Sequence, residues 1–289
     1  MDISNGIADL HMHTISSDGT CTVADRIQQA KRRGLGAISI TDHDCLSNNI
    51  EYRTTYRNGV ELIAGVEVRA DVRNTKVELL GYFVDPSDDR LASILEEVRG
   101  YRRERNQQII SRLHDITSLD RSYTDIRAEA DGILGRPHIA NVLIEDGIVD
   151  SVSAAFDEYL ANDDTAFVPM TRVPASEVID VIQGAGGIVS LAHPGRIRTD
   201  TIGPLVEELV ADGLDAIEVQ YPYADAPTGD YAEVSAEDAA NMATKKGLLQ
   251  TGGSDCHGSD SGKFRIGNVR VSQDQLDALR EQANQRRSL

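Results

Sequence analysis

The sequence predicts an α/β fold in which about seven parallel strands alternate with helices and come close to a barrel. Short apolar runs alternate with amphipathic helical patterns, and several patterns end at glycine. In the first pattern, Val23, Ile27 and Ala30 share one face and Gly34 supplies a C-cap. This alternation is typical of parallel strands joined by crossover helices.

Each strand-like run has polar residues in or just after its carboxyl end. The runs are GIADLHMHT, GAISITDHD, VELIAGVEV, KVELLGYFV, GIVSLAHPG, LDAIEVQYP and LLQTGGSDCHG. In α/β barrels the chemistry collects at the carboxyl ends of the strands, where these polar residues lie.

One segment departs from the alternation. Residues 88–168 contain helical patterns without intervening strands. We expect a helical insertion after the fourth strand, forming a cap over the mouth of a barrel built from residues 1–87 and 169–289. No repeats, low-complexity tracts or proline-rich linkers separate the two parts, so independent domains are not expected.

The composition is acidic, with 29 Lys and Arg against 47 Asp and Glu and a formal net charge of −18. One interpretation is a strongly solvated surface. We favour adaptation to high intracellular salt, because screening removes most of the self-repulsion. The charge argues against a broad nucleic-acid-binding face, which needs a basic stripe. A small phosphorylated substrate or the end of a nucleic-acid strand can still bind at a local site.

Targeting signals are missing from the sequence. It contains no apolar run of 18 residues, and the stretch MDISNGIADL lacks the basic and apolar regions of a signal peptide. We therefore expect a cytoplasmic protein without membrane association.

The sequence contains three cysteines, Cys21, Cys45 and Cys256. They are too few and too irregularly spaced for a disulfide framework or a CxxC zinc site, and we expect them to be small buried side chains.

Five of the seven histidines fall at predicted strand ends. His11 and His13 are two residues apart, so on an extended strand both point to the same face, and Asp255 and His257 share that spacing. The other candidates at or near strand ends are Asp18, His43, Glu67 and His193. Imidazoles and carboxylates without thiolates suit Mn, Fe or Zn in an open catalytic site. The set is too rich for one four-coordinate ion and indicates two or three.

Each motif alone has a plainer explanation. Histidines of an HxH pair also bond to backbone at strand ends, TDHD can be a helix N-cap, and AHPG can be a turn. The joint placement at strand ends favours a polynuclear metal site.

The ordered motifs DLHMHTISSDGT, ITDHD, AGVEV, AHPG and GGSDCHG resemble those of the PHP family, named for polymerase and histidinol phosphatase. In the insertion, RRERNQQIISRL, GRPHIANVLIEDG and FDEYLANDDTAFVP are similar to the standalone PHP phosphoesterases. That subgroup includes nucleoside 3′,5′-bisphosphate phosphatases and 5′-to-3′ exoribonucleases. The resemblance covers nearly the whole chain and implies a distorted (β/α)₇ barrel with a di- or trinuclear centre that hydrolyses phosphoesters.

The resemblance also implies the metal ligands. They are His11, His13, Asp18, His43, Glu67, His193, Asp255 and His257. Glu78 stands where the family usually has histidine, and we expect it to be a ninth ligand; the alternative is an outward-facing strand residue. Its oxygen donors favour Mn or Mg over Zn. We expect two or three divalent ions, with manganese favoured and iron, zinc or magnesium as alternatives.

Substrate contacts and supporting residues can also be predicted. Arg136 and His138 are candidate phosphate ligands, because a guanidinium fork and a helix N-terminus both suit an anion. The alternative is that Pro137 begins a helix and its neighbours cap it. Arg196 is a second candidate for the phosphate. Asp42 and Asp44 are expected to orient metal ligands; they follow the second strand.

No GxSxG elbow is present, so we expect a metal-bound hydroxide and no side-chain nucleophile. The predicted function is hydrolysis of a phosphomonoester of a small nucleotide, such as a nucleoside 3′,5′-bisphosphate, or at the 5′ end of short RNA. The first alternative is a histidinol-phosphate phosphatase. A non-catalytic metal-stabilised binding module and a metal-dependent amidohydrolase are alternatives from other classes. The usual carboxylated lysine of the amidohydrolase has no candidate at a strand end.

Overall fold

The structure, a computed structural model, describes residues 7–130, 132–161, 164–225, 230–259, 263 and 265–288. These residues form two compact units, which we name the sheet unit and the helical unit. The sheet unit comprises the described residues up to Glu96 and from Arg172 onward, and the helical unit is Glu97–Thr171. Residues 1–6, 226–229, 260–262, 264 and 289 of the predicted barrel segments, and residues 131, 162 and 163 of the predicted insertion, lie outside the described residues.

The sheet unit contains nine strands in its described part. They are β1 Ala8–Asp9, β2 Ala37–Ile40, β3 Thr54–Arg57, β4 Val60–Val72, β5 Thr75–Tyr82, β6 Val173–Pro174, β7 Ile188–Leu191, β8 Ala216–Gln220 and β9 Leu249–Gly252. The order along the sheet is β1-β2-β4-β5-β7-β8-β9, while β3 and β6 each pair with β4. A strand therefore forms in each of the seven predicted runs, and two short strands are added.

The expectation of parallel strands throughout is wrong at β5. This strand runs antiparallel to both β4 and β7, whereas the β1–β2, β2–β4, β7–β8 and β8–β9 pairs are parallel. Only Arg73 and Asn74 separate β4 from β5, with φ of 53° and 62°. A two-residue turn with positive φ at both positions makes a hairpin and leaves no room for a crossover helix.

In the described part of the sheet unit, five α-helices lie wholly within the unit. They are α1 Val23–Arg32, α6 Ala175–Gly184, α7 Gly203–Ala211, α8 Ala236–Lys246 and α9 Gln273–Arg286. Side-chain caps fix where several begin: Thr22, Ser235 and Ser272 each form a capping box with the residue three positions later. The apolar faces of the strands and α9 meet in a buried core that includes Leu10, Leu80 and Leu279.

The segments that follow β1 and β9 lie side by side. The Leu10 N–H donates to the Gly252 carbonyl at 3.1 Å, and the His13 N–H donates to the Cys256 carbonyl at 3.0 Å. Met12 and Cys256 form a parallel bridge between these bonds. The contact brings together the two stretches in which the sequence places a pair of candidate ligands.

The helical unit contains the larger part of α2 (Asp89–Ile116), followed by α3 Tyr123–Glu129, α4 Arg136–Glu145, α5 Val152–Ala155 and a π-helical turn, Phe156–Leu160. Its described residues form no strand. A separate buried cluster that includes Ile109, Leu113, Ile139 and Leu143 is its core. Among the described residues of the whole chain, no helix has both the length and the apolar character needed to cross a membrane.

Candidate metal centre

Histidine and carboxylate side chains converge at one place in the sheet unit. They form four overlapping groups whose donor atoms lie within 4.8 Å of one another. The groups are His13, Asp18, His43 and His257; His11, His13 and Asp255; His11, Glu67 and His193; and His43, Glu67 and Glu78. The structure thus brings together all nine residues that the sequence analysis selected as candidate metal ligands.

Asp255 aims one carboxylate oxygen at three imidazoles. Its Oδ1 lies 3.3 Å from His13 Nε2, 3.4 Å from His257 Nδ1 and 3.7 Å from His11 Nε2. The backbone of Asp255 has φ of 51°, and that of His193 has φ of 25°. Such left-handed conformations cost on the order of 1–3 kcal/mol and persist mainly at functional sites.

Glu67 of β4 lies in the middle of the cluster and is fully buried. Its Oε2 is 2.9 Å from His43 Nδ1 and 3.4 Å from His13 Nε2, and its Oε1 is 3.0 Å from His193 Nε2. Each oxygen therefore faces imidazole nitrogens, and Glu67 would be among the residues that hold a divalent ion.

Several buried polar atoms of the cluster have no hydrogen-bond partner in the structure. They are His11 Nε2, both ring nitrogens of His13, Glu67 Oε2 and His193 Nδ1. Leaving one buried polar atom unsatisfied costs about 1–3 kcal/mol. Imidazole nitrogens and carboxylate oxygens are ligands of Mn, Fe, Zn and similar ions, so the residues present fit divalent metal ions.

The pKa values follow from burial and close charges. Burial alone would lower the pKa of His43, but the surrounding carboxylates, Glu67 and Asp18 foremost, together outweigh it and raise this pKa to about 9. Burial and the neighbouring His257 lower the pKa of His13 to about 4. Burial would raise the pKa of Glu67, yet the surrounding histidines, His43 and His11 foremost, together keep it well below its usual value. Glu67 is therefore ionised and His13 neutral, the forms that bind metals.

Glu78 of β5 is held by two cations. Arg69 Nη2 donates to its Oε1 at 2.9 Å, and Lys76 Nζ donates to its Oε2 at 3.0 Å. The Oε2 atom is also 3.7 Å from His193 Nε2. Burial would raise the pKa of Glu78, but Lys76 and Arg69 lower it well below its usual value. The side chain faces the other candidate ligands and not solvent.

Asp42 and Asp44 bond to the loops and the strand beside the candidate ligands, and their role in orienting metal ligands stays a prediction. Asp42 accepts hydrogen bonds from the backbone and hydroxyl of Thr14 at 2.7 and 2.6 Å, from Ser17 at 2.6 Å and from Ser47 at 2.5 Å. It thereby ties the turn that carries Asp18 to the loop after β2. Asp44 accepts a backbone N–H of β4 at 3.1 Å.

Arg196 lies beside the cluster, in a 3₁₀ turn after β7. Its Nη1 is 3.3 Å from the Tyr221 hydroxyl, which donates to Asp255 Oδ2 at 3.0 Å. Lys263 Nζ is 3.5 Å from the same carboxylate oxygen. One oxygen of Asp255 thus faces the imidazoles, and the other faces hydroxyl and ammonium groups.

Arg136 and His138 lie in the helical unit, at the start of α4. The helix begins at Arg136, one residue before the predicted start at Pro137. The ring Nδ1 of His138 accepts the Gly135 N–H at 3.0 Å, and Arg136 Nη1 donates to the Leu160 carbonyl at 2.8 Å. The capping interaction is therefore present, and the contact with a substrate phosphate stays a prediction.

The sequence analysis missed Glu218, which is fully buried in β8. Its Oε1 is 2.9 Å from His11 Nδ1, and its Oε2 accepts the backbone N–H of His193 at 2.7 Å. A carboxylate on one ring nitrogen fixes the orientation of a histidine, so that the other nitrogen faces the metal site. The one signal of this role in the sequence was an acidic residue flanked on both sides by apolar residues of a predicted strand.

We expect Glu218→Gln to weaken metal binding by about 10- to 100-fold, because the amide keeps the shape but loses the charge that orients His11. Metal content after dialysis against graded chelator measures the effect. Glu237→Gln, at an exposed position of α8, removes the same charge and should leave metal binding unchanged. Equal metal affinity in wild type and Glu218→Gln would contradict this role.

Two further buried charges hold the loops of the cluster. Arg26 of α1 is fully buried and donates through Nη2 to the carbonyls of His13 at 2.6 Å and Cys256 at 2.9 Å. Asp9 accepts the Ser254 N–H at 2.9 Å. Both side chains link the segment after β1 to the segment after β9. The three cysteines of the chain are buried and free, as expected.

Comparison with known proteins adds sequence and structural relatives. Residues 9–162 match the model of the PHP domain. The 3′,5′-nucleoside bisphosphate phosphatase of Chromobacterium violaceum is 29% identical over 268 residues, which cover 90% of each chain. The 5′-3′ exoribonuclease Rnm of Escherichia coli strain K12 is 32% identical over 218 residues, which cover 74% of each chain.

Solved structures include a similar fold. A protein from Bifidobacterium adolescentis, named as a metal-dependent phosphoesterase, aligns with a TM-score of 0.80 and 28% identity. The alignment covers 95% of this chain and 96% of that protein.

Proposed function

The chain belongs to the PHP domain family and is a metal-dependent phosphoesterase, and on that premise we propose that it removes a phosphate monoester from a small nucleotide. A nucleoside 3′,5′-bisphosphate is the proposed substrate, with the 5′ end of short RNA as a second one. The convergence of nine imidazole and carboxylate residues carries the hydrolytic assignment. The nucleotide assignment is supported by a bisphosphate phosphatase that aligns over 90% of both chains.

We propose that these nine residues hold two or three divalent ions, with manganese favoured and iron, zinc or magnesium as alternatives. When bound, such ions lower the pKa of coordinated water and neutralise charge on phosphoryl oxygens. Glu67 keeps the imidazoles on both sides of it at fixed distances, and Glu218 orients His11 among them. Glu78 adds an oxygen donor, which supports the preference for manganese or magnesium over zinc.

We propose that Arg196 contacts the substrate phosphate. Arg196 contacts the Tyr221 hydroxyl, which in turn donates to Asp255, and a guanidinium fork matches phosphate oxygens. Arg136 and His138, at the start of α4, are proposed as further phosphate ligands. This role requires the inserted helices, residues 88–168, to act as a cap on a barrel formed by residues 1–87 and 169–289. The bonds that join the segments after β1 and β9 support closure of the distorted (β/α)₇ barrel.

The net charge of −18 supports the proposal that the protein works in the cytoplasm at high salt. Assays therefore belong in concentrated potassium chloride.

The proposed function is tested by phosphate release with Mn²⁺ in high potassium chloride. Adenosine 3′,5′-bisphosphate, AMP, histidinol phosphate and a 5′-phosphorylated oligoribonucleotide are compared at equal concentration, with chelator as the control. We expect the bisphosphate to give the highest kcat/KM. A preference for histidinol phosphate would replace the nucleotide assignment by the first alternative. No turnover of the four compounds by metal-loaded protein would contradict the proposal.

A further inference from the structure

We propose that Tyr221 is a positioning residue, whose single hydroxyl group holds both the metal ligand Asp255 and the phosphate-binding side chain of Arg196. Tyr221 directly follows β8 and is only 6% exposed. Arg196 Nη1 donates to its hydroxyl oxygen at 3.3 Å, and the hydroxyl donates to Asp255 Oδ2 at 3.0 Å. The inference rests on the proposed contact between Arg196 and the substrate phosphate, and it gives a role to a residue that the sequence analysis did not select.

The two hydrogen bonds of Tyr221 can run in one direction only. A guanidinium group donates and never accepts, a carboxylate accepts, and a tyrosine hydroxyl has one proton to give and lone pairs to receive another. The proton of Tyr221 is therefore given to Asp255, and the lone pairs face Arg196. Each bond of such a chain polarises the next. A phenyl ring at this position could hold neither partner.

The bond to Asp255 sets the orientation of its carboxylate. While Oδ2 is held by the Tyr221 hydroxyl, Oδ1 is turned towards the imidazoles of His13 and His257. Lys263 Nζ is 3.5 Å from Oδ2, at the outer limit of a hydrogen bond, so the hydroxyl makes the closer contact. Groups that hydrogen-bond a metal-ligating carboxylate fix its direction and contribute to metal affinity. Tyr221 is thus expected to support metal binding without touching an ion.

The bond to Arg196 sets the position of its guanidinium group. Among the described residues, the Tyr221 hydroxyl is the one side-chain group that accepts a hydrogen bond from Arg196, so other N–H donors of the fork are left for a phosphate. The Tyr221 ring packs edge-on against the rings of His193 and Tyr223, with 5.3 Å between centroids in each pair. The ring therefore supports the turn after β7 and the hydroxyl holds the guanidinium. A phenylalanine separates these two roles, because it keeps the ring and removes the hydroxyl.

The first measurement is the affinity for Mn²⁺, by calorimetry on full-length, initially metal-free protein. We expect Tyr221→Phe to bind Mn²⁺ about 10- to 100-fold more weakly than wild type, because Asp255 loses the group that orients it. Arg196→Gln should bind Mn²⁺ no more weakly than wild type, since the hydroxyl of Tyr221 remains on Asp255.

The second measurement is the affinity for inorganic phosphate, at Mn²⁺ concentrations that saturate each variant. We expect Arg196→Gln to bind phosphate at least about 10-fold more weakly, as for the loss of a charge-assisted hydrogen bond. Tyr221→Phe should also weaken phosphate binding. The double variant should be no weaker than Arg196→Gln alone, because Tyr221 acts on the phosphate through Arg196. Two independent roles would instead multiply the two losses.

The control is Tyr56→Phe, which removes the same hydroxyl at a position of β3 that is 73% exposed. It should leave both affinities unchanged. Wild-type affinity of Tyr221→Phe for Mn²⁺ and for phosphate, or losses that multiply in the double variant, would overturn the inference and leave the proposed function standing. Unchanged phosphate binding by Arg196→Gln would instead refute the proposed phosphate contact on which the inference rests. Neither measurement requires turnover, so the identity of the hydrolysed phosphoester does not affect the result.

Discussion

Asp255→Ala is expected to lower kcat/KM by more than about 100-fold. This is a larger fall than the roughly 10- to 100-fold loss of activity or metal affinity that follows removal of a residue hydrogen-bonded to a metal ligand. The reason is geometric, because the lost Oδ1 is the oxygen that faces the imidazoles of His11, His13 and His257. Metal content should fall in the same variant. Phosphate release and elemental analysis of the purified protein measure the two effects.

The matched control is Asp274→Ala, at an exposed position in the first turn of α9. Like Asp255→Ala, this substitution removes one carboxylate, but at a position that is not a candidate ligand. The variant should retain wild-type activity and metal content. If Asp255→Ala kept wild-type metal content and activity, Asp255 would not belong to the metal centre.

Gly253→Ala is expected to have the second large effect, on both stability and activity. A Cβ atom at this position would overlap the backbone nitrogen and the Cβ of His11. Overpacking of this kind costs about 1–3 kcal/mol. Displacement of a reactive group by about 1 Å can lower the rate about 100-fold. We therefore expect a lower free energy of unfolding together with a fall in kcat, measured by denaturant titration and phosphate release.

Gly100→Ala provides the matched control. Gly100 lies in the interior of α2, and beyond the backbone of that helix a Cβ atom there would meet only Arg103 Nη2 at 3.8 Å, an ordinary van der Waals contact. The same chemical change should be neutral or stabilise the protein by about 0.4–1 kcal/mol, because alanine restricts the unfolded chain. A Gly253→Ala protein as stable and active as wild type would show that the close contact between His11 and the segment after β9 is not required.

The strands could be predicted because buried runs and polar ends alternate along the chain. The strand β3 was not predicted, since Thr54–Arg57 lacks apolar residues and is only half-buried. Its signal was the Asn58-Gly59 pair, whose positive φ values of 54° and 83° are those of a hairpin turn. The direction of β5 was not predicted, because the turn at Arg73 and Asn74 that reverses the chain lies within an α/β alternation typical of parallel strands.

The candidate ligands could be selected because a spacing of two residues puts side chains on one face of an extended segment. That rule covers His11 with His13 and Asp255 with His257. It says nothing about Glu218 or Arg26, whose partners are remote in sequence. A buried arginine on an amphipathic helix cannot be told from an exposed one until the carbonyls that it binds are in place.

The pairing of the segments after β1 and β9 has a consequence for synthesis of the protein. His11 and His13 leave the ribosome early, whereas Asp255 and His257 are added only after about 250 residues have been joined. Until then, the emerging chain has imidazoles without the carboxylate that they share. Domains fold as units, and contacts between distant residues form late. We therefore expect catalytic competence only after β9 and the segment that follows it have been added, and a chain that stops before β9 should hydrolyse no phosphoester.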